Sequence, residues 1–121
     1  MQKKSVLIAD DQDIDIEILK NILRQDYDIH STTESTKVVE LAEQFMPDVI
    51  LLDIIMYKMT GYEILAELKK SDKVKNIPVI LTSALSEEPD KKKGLELGAA
   101  DYIIKPFDVE TIKERVSKQI N

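Results

Sequence analysis

The chain has no cysteine, which excludes disulfides, thiolate metal sites and thiol nucleophiles and permits a reducing compartment. It has no tryptophan, and aromatic residues make up only 5% of it, so few rings are available to stack on a planar cofactor. Long apolar runs are missing as well. Met1-Gln2-Lys3-Lys4 leads only into Val6 to Ala9 before Asp10 and Asp11, too short for a signal-peptide core or a membrane span. Positive charge is also in deficit: 17 Lys and Arg against 23 Asp and Glu give a formal net charge of -6. That balance disfavours attraction to nucleic-acid phosphates and anionic membranes. The expectation is a soluble cytoplasmic protein that binds neither nucleic acid nor membrane directly, with one domain over residues 1–121.

What the chain does have is alternation. Val6-Leu7-Ile8-Ala9, Val49-Ile50-Leu51-Leu52, Val79-Ile80-Leu81 and Tyr102-Ile103-Ile104 are unbroken apolar runs, as in strands covered on both faces. Tyr27 to Ser31 alternates polar and apolar residues and predicts an edge strand in contact with water. Helical spacing fills the intervals. The first helix is expected to turn Ile14, Ile18 and Ile22 to one face, with Leu19 and Leu23 beside them. Val38, Leu41, Ala42 and Phe45 mark the second, and Tyr62, Leu65 and Leu68 the third. The fourth runs from about Pro89 to Leu97, with Gly98 at its C-cap, and Val109, Ile112, Val116 and Ile120 mark the fifth. Strands alternating with helices imply a parallel sheet with right-handed crossovers, a doubly wound α/β fold. Ligands bind such sheets beyond the carboxyl ends of the strands.

Chemistry-bearing residues gather at that edge. Asp10 and Asp11 follow the first strand, Asp53 the third, Ser83 the fourth and Lys105 the fifth. Alone, Asp10 or Asp11 would be a helix N-cap, Asp53 a solvated loop residue, Ser83 a turn residue and Lys105 a surface lysine. Converging carboxylates repel one another, and a hard divalent cation such as Mg2+ relieves that repulsion while retaining waters and a phosphate ligand. A carboxylate nucleophile, a metal, a hydroxyl and a cation are what phosphoryl transfer requires.

These residues resemble the receiver domains of two-component response regulators, including the single-domain chemotaxis regulator. The likeness runs through Asp10-Asp11, Leu51-Leu52-Asp53 with Met56, Met59 and Gly61, Ser83-Ala84, Leu95-Glu96-Leu97-Gly98-Ala99, Asp101-Tyr102 and Lys105-Pro106-Phe107. It implies a flavodoxin-like sheet of order 2-1-3-4-5 flanked by five helices. Asp53 would be the phosphoacceptor; Asp10, Asp11, Asp53 and the Ile55 backbone carbonyl would hold Mg2+. Ser83 and Lys105 would contact the phosphoryl group, with Thr82 a rival for the hydroxyl role, and Lys105-Pro106 would be cis.

The resemblance further implies that Ser83 and Tyr102 form a switch remodelling the face of the fourth and fifth helices. Ile55 and Leu85 would gate water and prolong the phosphorylated state. Asp101 and Arg115 match positions that pair across subunits in some transcription-factor receivers, which points to a homodimer. The partner would be a sensor histidine kinase or histidine phosphotransfer protein, because His30, the only histidine, falls on the edge strand as a structural or solvent-facing residue. The chain departs from the family pattern at Tyr57, often proline, and at Ala100, often acidic.

Three other functions share the fold. A phosphatase of the haloacid dehalogenase type needs a second Asp two positions after the nucleophile, where this chain has Ile55. An FMN carrier needs a phosphate-cradling loop after the first strand, where Asp10-Asp11-Gln12-Asp13 would repel phosphate. A phosphorylation-independent interaction module would have lost the acidic set. The expectation is therefore a phosphoacceptor rather than a substrate-processing enzyme.

Overall fold

The computed structural model describes residues 3–84 and 88–120. Strands alternate with helices in the order β1 (Lys4–Ala9), α1 (Asp13–Leu23), β2 (Tyr27–Thr32), α2 (Val38–Phe45), β3 (Val49–Asp53), α3 (Gly61–Lys70), β4 (Val79–Ser83), α4 (Glu88–Glu96), β5 (Asp101–Ile104) and α5 (Val109–Ile120). A 3-10 turn at Ser35–Lys37 leads into α2. All strand pairings are parallel, and the sheet order is β2-β1-β3-β4-β5. The flavodoxin-like expectation holds, with β2 at the edge.

Successive strand residues face opposite sides, so each apolar run feeds two cores. Leu7, Ile50, Leu52, Val79, Leu81 and Tyr102 pack with residues of α2 and α3. Val6, Ile8, Val49, Leu51, Ile80 and Ile103 pack with α1 and α5. Unbroken hydrophobicity at β1, β3 and β4 is thus the signature of a two-sided sheet.

The helices bear out most of the expected faces, with one reversal. In α1 the expected Leu19 and Leu23 are buried together with Ile16, and Ile22 packs against the same core, whereas Ile14 is 73% and Ile18 42% exposed. Isoleucines at 14, 16 and 18 give the helix two apolar sides. At about 100° per residue, Ile14 lies half a turn from the Ile16-Leu19-Leu23 stripe, and the side holding both leucines faces the sheet. Val109 is likewise exposed, while Ile112 and Val116 of α5 are buried.

Helix α4 ends as its sequence suggested. Gly98 takes φ 107°, Gly98 N–H donates to the Leu95 carbonyl and Ala99 N–H to the Gly94 carbonyl, both at 3.1 Å, a Schellman closure. His30 on β2 stacks on Phe45 of α2, ring centroids 3.8 Å apart, which gives this histidine a structural role. No helix among the described residues is long and apolar enough to cross a membrane.

Candidate functional site

The carboxyl ends of β1, β3 and β5 bring Asp10, Asp53 and Lys105 together. Asp10, Asp11 and Asp53 each offer a carboxylate oxygen within 4.8 Å of the others. Asp10 and Asp53 are buried and Asp11 is partly exposed, which leaves the cluster open on one side. Neither Asp10 nor Asp11 caps α1: its N-cap is Gln12, without a side-chain cap bond, and Asp10 Oδ1 instead accepts from Gln12 N–H at 2.9 Å.

Lys105 is the cation of the site. Its Nζ donates to Asp15 Oδ2 at 2.7 Å and Asp10 Oδ2 at 3.0 Å, and lies 3.5 Å from Asp53 Oδ1. The Lys105-Pro106 peptide is cis, and Lys105 N–H donates to the Ser83 carbonyl at 2.8 Å. Asp15 was invisible from sequence, where a carboxylate in a first helical turn reads as a companion of the helix dipole.

Burial and crowding set the electrostatics. Desolvation, reinforced by the Asp10 charge and only partly offset by Lys105, raises the Asp53 pKa from 3.8 to about 6. Asp10 is raised too, chiefly by burial. Burial alone would lower Lys105, yet the bonds to Asp15 and Asp10 prevail and hold it above its usual value. The ammonium is therefore charged at neutral pH.

β4 splits its two hydroxyls between the faces. Thr82 lies across from Asp53 in register and, following Ile80, belongs to the α1/α5 side. Ser83 continues the Val79-Leu81 row, which shares its side with Tyr102. Helix α4 lies close over that side, since a Cβ added at Gly94 would meet Leu81 Cδ1 at 2.6 Å and Tyr102 Cδ2 at 3.6 Å. Both hydroxyl residues are buried, and so is Tyr102.

The loop after β3 is anchored on both flanks. Ile54 and Met56 are buried, while Ile55 between them is 58% exposed. Ser35 Oγ donates to the Tyr57 carbonyl at 2.6 Å, fixing by a tertiary bond the stretch where Tyr57 stands in place of proline. Helix α3 then starts on a Thr60–Glu63 capping box. Gly61 N–H donates to the Ile54 carbonyl at 2.7 Å, and an added Cβ at Gly61 would collide with the Asp53 carbonyl oxygen. Only glycine lets α3 begin this close to Asp53. Leu85 lies outside the described residues.

The donor set suits a hard divalent cation. All the groups it offers are oxygens, two carboxylates are desolvated, and the third faces solvent, where a bound cation could keep some of its waters.

The family model for the response regulator receiver domain matches residues 6–117. The DNA-binding dual master transcriptional regulator RpaA of Synechocystis is 35% identical over 92% of this chain and 46% of its own length. Histidine kinase P4 of Formosa agariphila is 36% identical over 95% of this chain and 8% of its own. The chain thus spans less than half the length of either relative. Among solved structures, the BeF3-activated DrrB receiver domain superposes with a TM-score of 0.87 at 26% identity, over 98% of each chain.

Proposed function

Because the chain belongs to the response regulator receiver domain family, we propose that it is a phosphoacceptor whose Asp53 takes a phosphoryl group from a partner's phosphohistidine. The observation that carries this reading is the convergence of the Asp53, Asp10 and Asp11 carboxylates with Lys105 at one end of the sheet. A carboxylate oxygen of Asp53 attacks phosphorus, the P–N bond to the imidazole breaks, and the departing ring nitrogen takes up a proton. The product is an acyl phosphate on Asp53. The Lys105 ammonium and the Ser83 hydroxyl contact the phosphoryl oxygens, where negative charge develops. Asp10, Asp11, Asp53 and the Ile55 carbonyl would hold Mg2+, which when bound neutralises those same oxygens. The role is that of a signalling module rather than a turnover enzyme. The donor is a sensor histidine kinase or histidine phosphotransfer protein, and the setting is the cytoplasm.

The output runs through β4 and β5. Contact between Ser83 and the phosphoryl group draws on the row it shares with Tyr102, and α4 above that row responds. Asp101 and Arg115 already pair within the chain, Nη1 to Oδ1 at 2.8 Å. A homodimer on this face would exchange that pair between subunits. Since a pair this close to solvent is worth only ~0–1 kcal/mol, apolar contacts around it would have to hold the subunits. Ile55, exposed two residues after Asp53, would shield the phosphoryl group from water; Leu85, expected to share that role, lies outside the described residues.

One set of samples tests the reading. Incubation with a small phosphodonor and Mg2+, followed by mass spectrometry, should add one phosphoryl group to the wild type and none to Asp53→Asn; equal labelling of the two refutes the assignment. The labelled protein should show altered Tyr102 resonances, and sedimentation reports whether it dimerises.

A further inference from the structure

We infer that Asp15 is a positioning residue: its carboxylate holds the Lys105 ammonium off Asp53 and leaves that carboxylate accessible to a divalent cation. The inference rests on the reading of the acidic cluster as a metal site. Lys105 has three N–H donors, and its shortest bond, 2.7 Å, goes to Asp15 Oδ2. Asp15 is the one partner outside the Asp10, Asp11 and Asp53 cluster. It is also the most accessible of the three carboxylates around Lys105, its side chain being 19% exposed against 1% for Asp10 and 4% for Asp53. The ammonium is therefore pulled outward, to 3.5 Å from Asp53 Oδ1.

Removing the Asp15 charge changes two things in the same direction. The cleft loses one of four negative groups, which weakens its attraction for any cation. The ammonium also loses its outer partner, and Asp10 and Asp53 are the only carboxylates left within ion-pair reach of it among the described residues. It then settles on the oxygens a metal would use. Lys105 and a divalent ion would compete for one pair of carboxylates, with Asp15 setting the balance. This role is distinct from helix stabilisation, because Asp13 in the same first turn makes no ion pair with Lys105 among the described residues.

The test is Mg2+ binding by calorimetry on the whole chain. Asp15→Asn keeps the side-chain shape and should weaken binding about three- to tenfold, the scale of one charge a few ångströms away in a water-like dielectric. Asp13→Asn makes the same change in net charge and should weaken it by less than about twofold, as a solvated charge is largely screened. In a Lys105→Gln background, adding Asp15→Asn should cost clearly less than it does in the wild type, because only the direct loss of charge remains and the part that runs through Lys105 is gone. Unchanged affinity in Asp15→Asn, or an equal loss with and without Lys105, overturns the positioning role. A wild type that binds no Mg2+ overturns the metal reading itself and this inference with it.

Discussion

Asp53→Asn should make the metal-free protein more stable at neutral pH, although it removes the group at the centre of the site. Burial, with the Asp10 charge second, lifts the Asp53 pKa from 3.8 to about 6. At about 1.4 kcal/mol per unit, ionising Asp53 in the folded chain costs about 3 kcal/mol more than in the unfolded one. The sign follows from proton binding. Between about pH 4 and 6 the folded state holds a proton that the unfolded state has released, so this group's contribution to stability falls as pH rises through that window. Above it the cost is fully present. Asparagine has no charge to desolvate and abolishes that slope. The repulsion from Asp10 and the attraction to Lys105 at 3.5 Å are both contained in that shift. With these partly offsetting, the net gain should be about 1–3 kcal/mol near pH 7.5 and close to zero near pH 4. Urea unfolding in EDTA, followed by far-UV circular dichroism across that range, measures the difference. A gap independent of pH, or a variant less stable than wild type near pH 7.5, refutes the reasoning. Added Mg2+ should narrow the gap, since a cation bound only by the folded wild type stabilises it by mass action.

The reversed face of α1 predicts that Leu23→Ala costs about 2–5 kcal/mol whereas Ile14→Ala stays within about 0.5 kcal/mol, both read from urea midpoints; equal losses would restore the Ile14 face to the core. Ile55→Asn, which offers an amide to orient water at the mouth of the site, should speed loss of the phosphoryl group at fixed Mg2+; an unchanged or slower decay would show that hydrolysis is limited elsewhere.

How much of this was legible depended on whether the signal was local. Val49-Ile50-Leu51-Leu52 announces a strand covered on both sides because its period carries no polar face, and the carboxylate that ends the run, Asp53, is placed by the strand itself. Asp10 and Lys105 followed in the same way, since parallel strands bring their carboxyl ends to one edge. The α1 stripe was right at Ile22, Leu19 and Leu23 and wrong at Ile14 and Ile18, because isoleucines two apart satisfy two helical faces and only the sheet beneath decides between them. Asp15 was missed for a different reason: its partner is 90 residues away in sequence, and nothing near it distinguishes it from Asp13. The Ser35 bond to the Tyr57 carbonyl spans 22 residues and is equally silent. Tertiary bonds between ordinary residues leave no periodic trace.

On the proposed reading, the same electrostatic tension that lowers the stability of the resting site would let it respond. A site in which every carboxylate had its own cation would gain little from a metal or a phosphoryl group, because ligands shift an equilibrium only by the difference they make between states. Here Lys105 is shared among three carboxylates and Asp53 remains strained by burial, so neutralisation from outside has a large effect. Rigidity confines that effect. The Gly61 contact, the Ser35 bond and the buried side chains of Ile54 and Met56 hold the loop after β3, leaving little freedom on that side. β4 offers a route outward: Thr82 lies in register with Asp53, and its neighbour Ser83 continues the row that shares its side with Tyr102 beneath α4. A change of charge at Asp53 that moves the end of this one strand would therefore reach the side of the sheet that α4 covers.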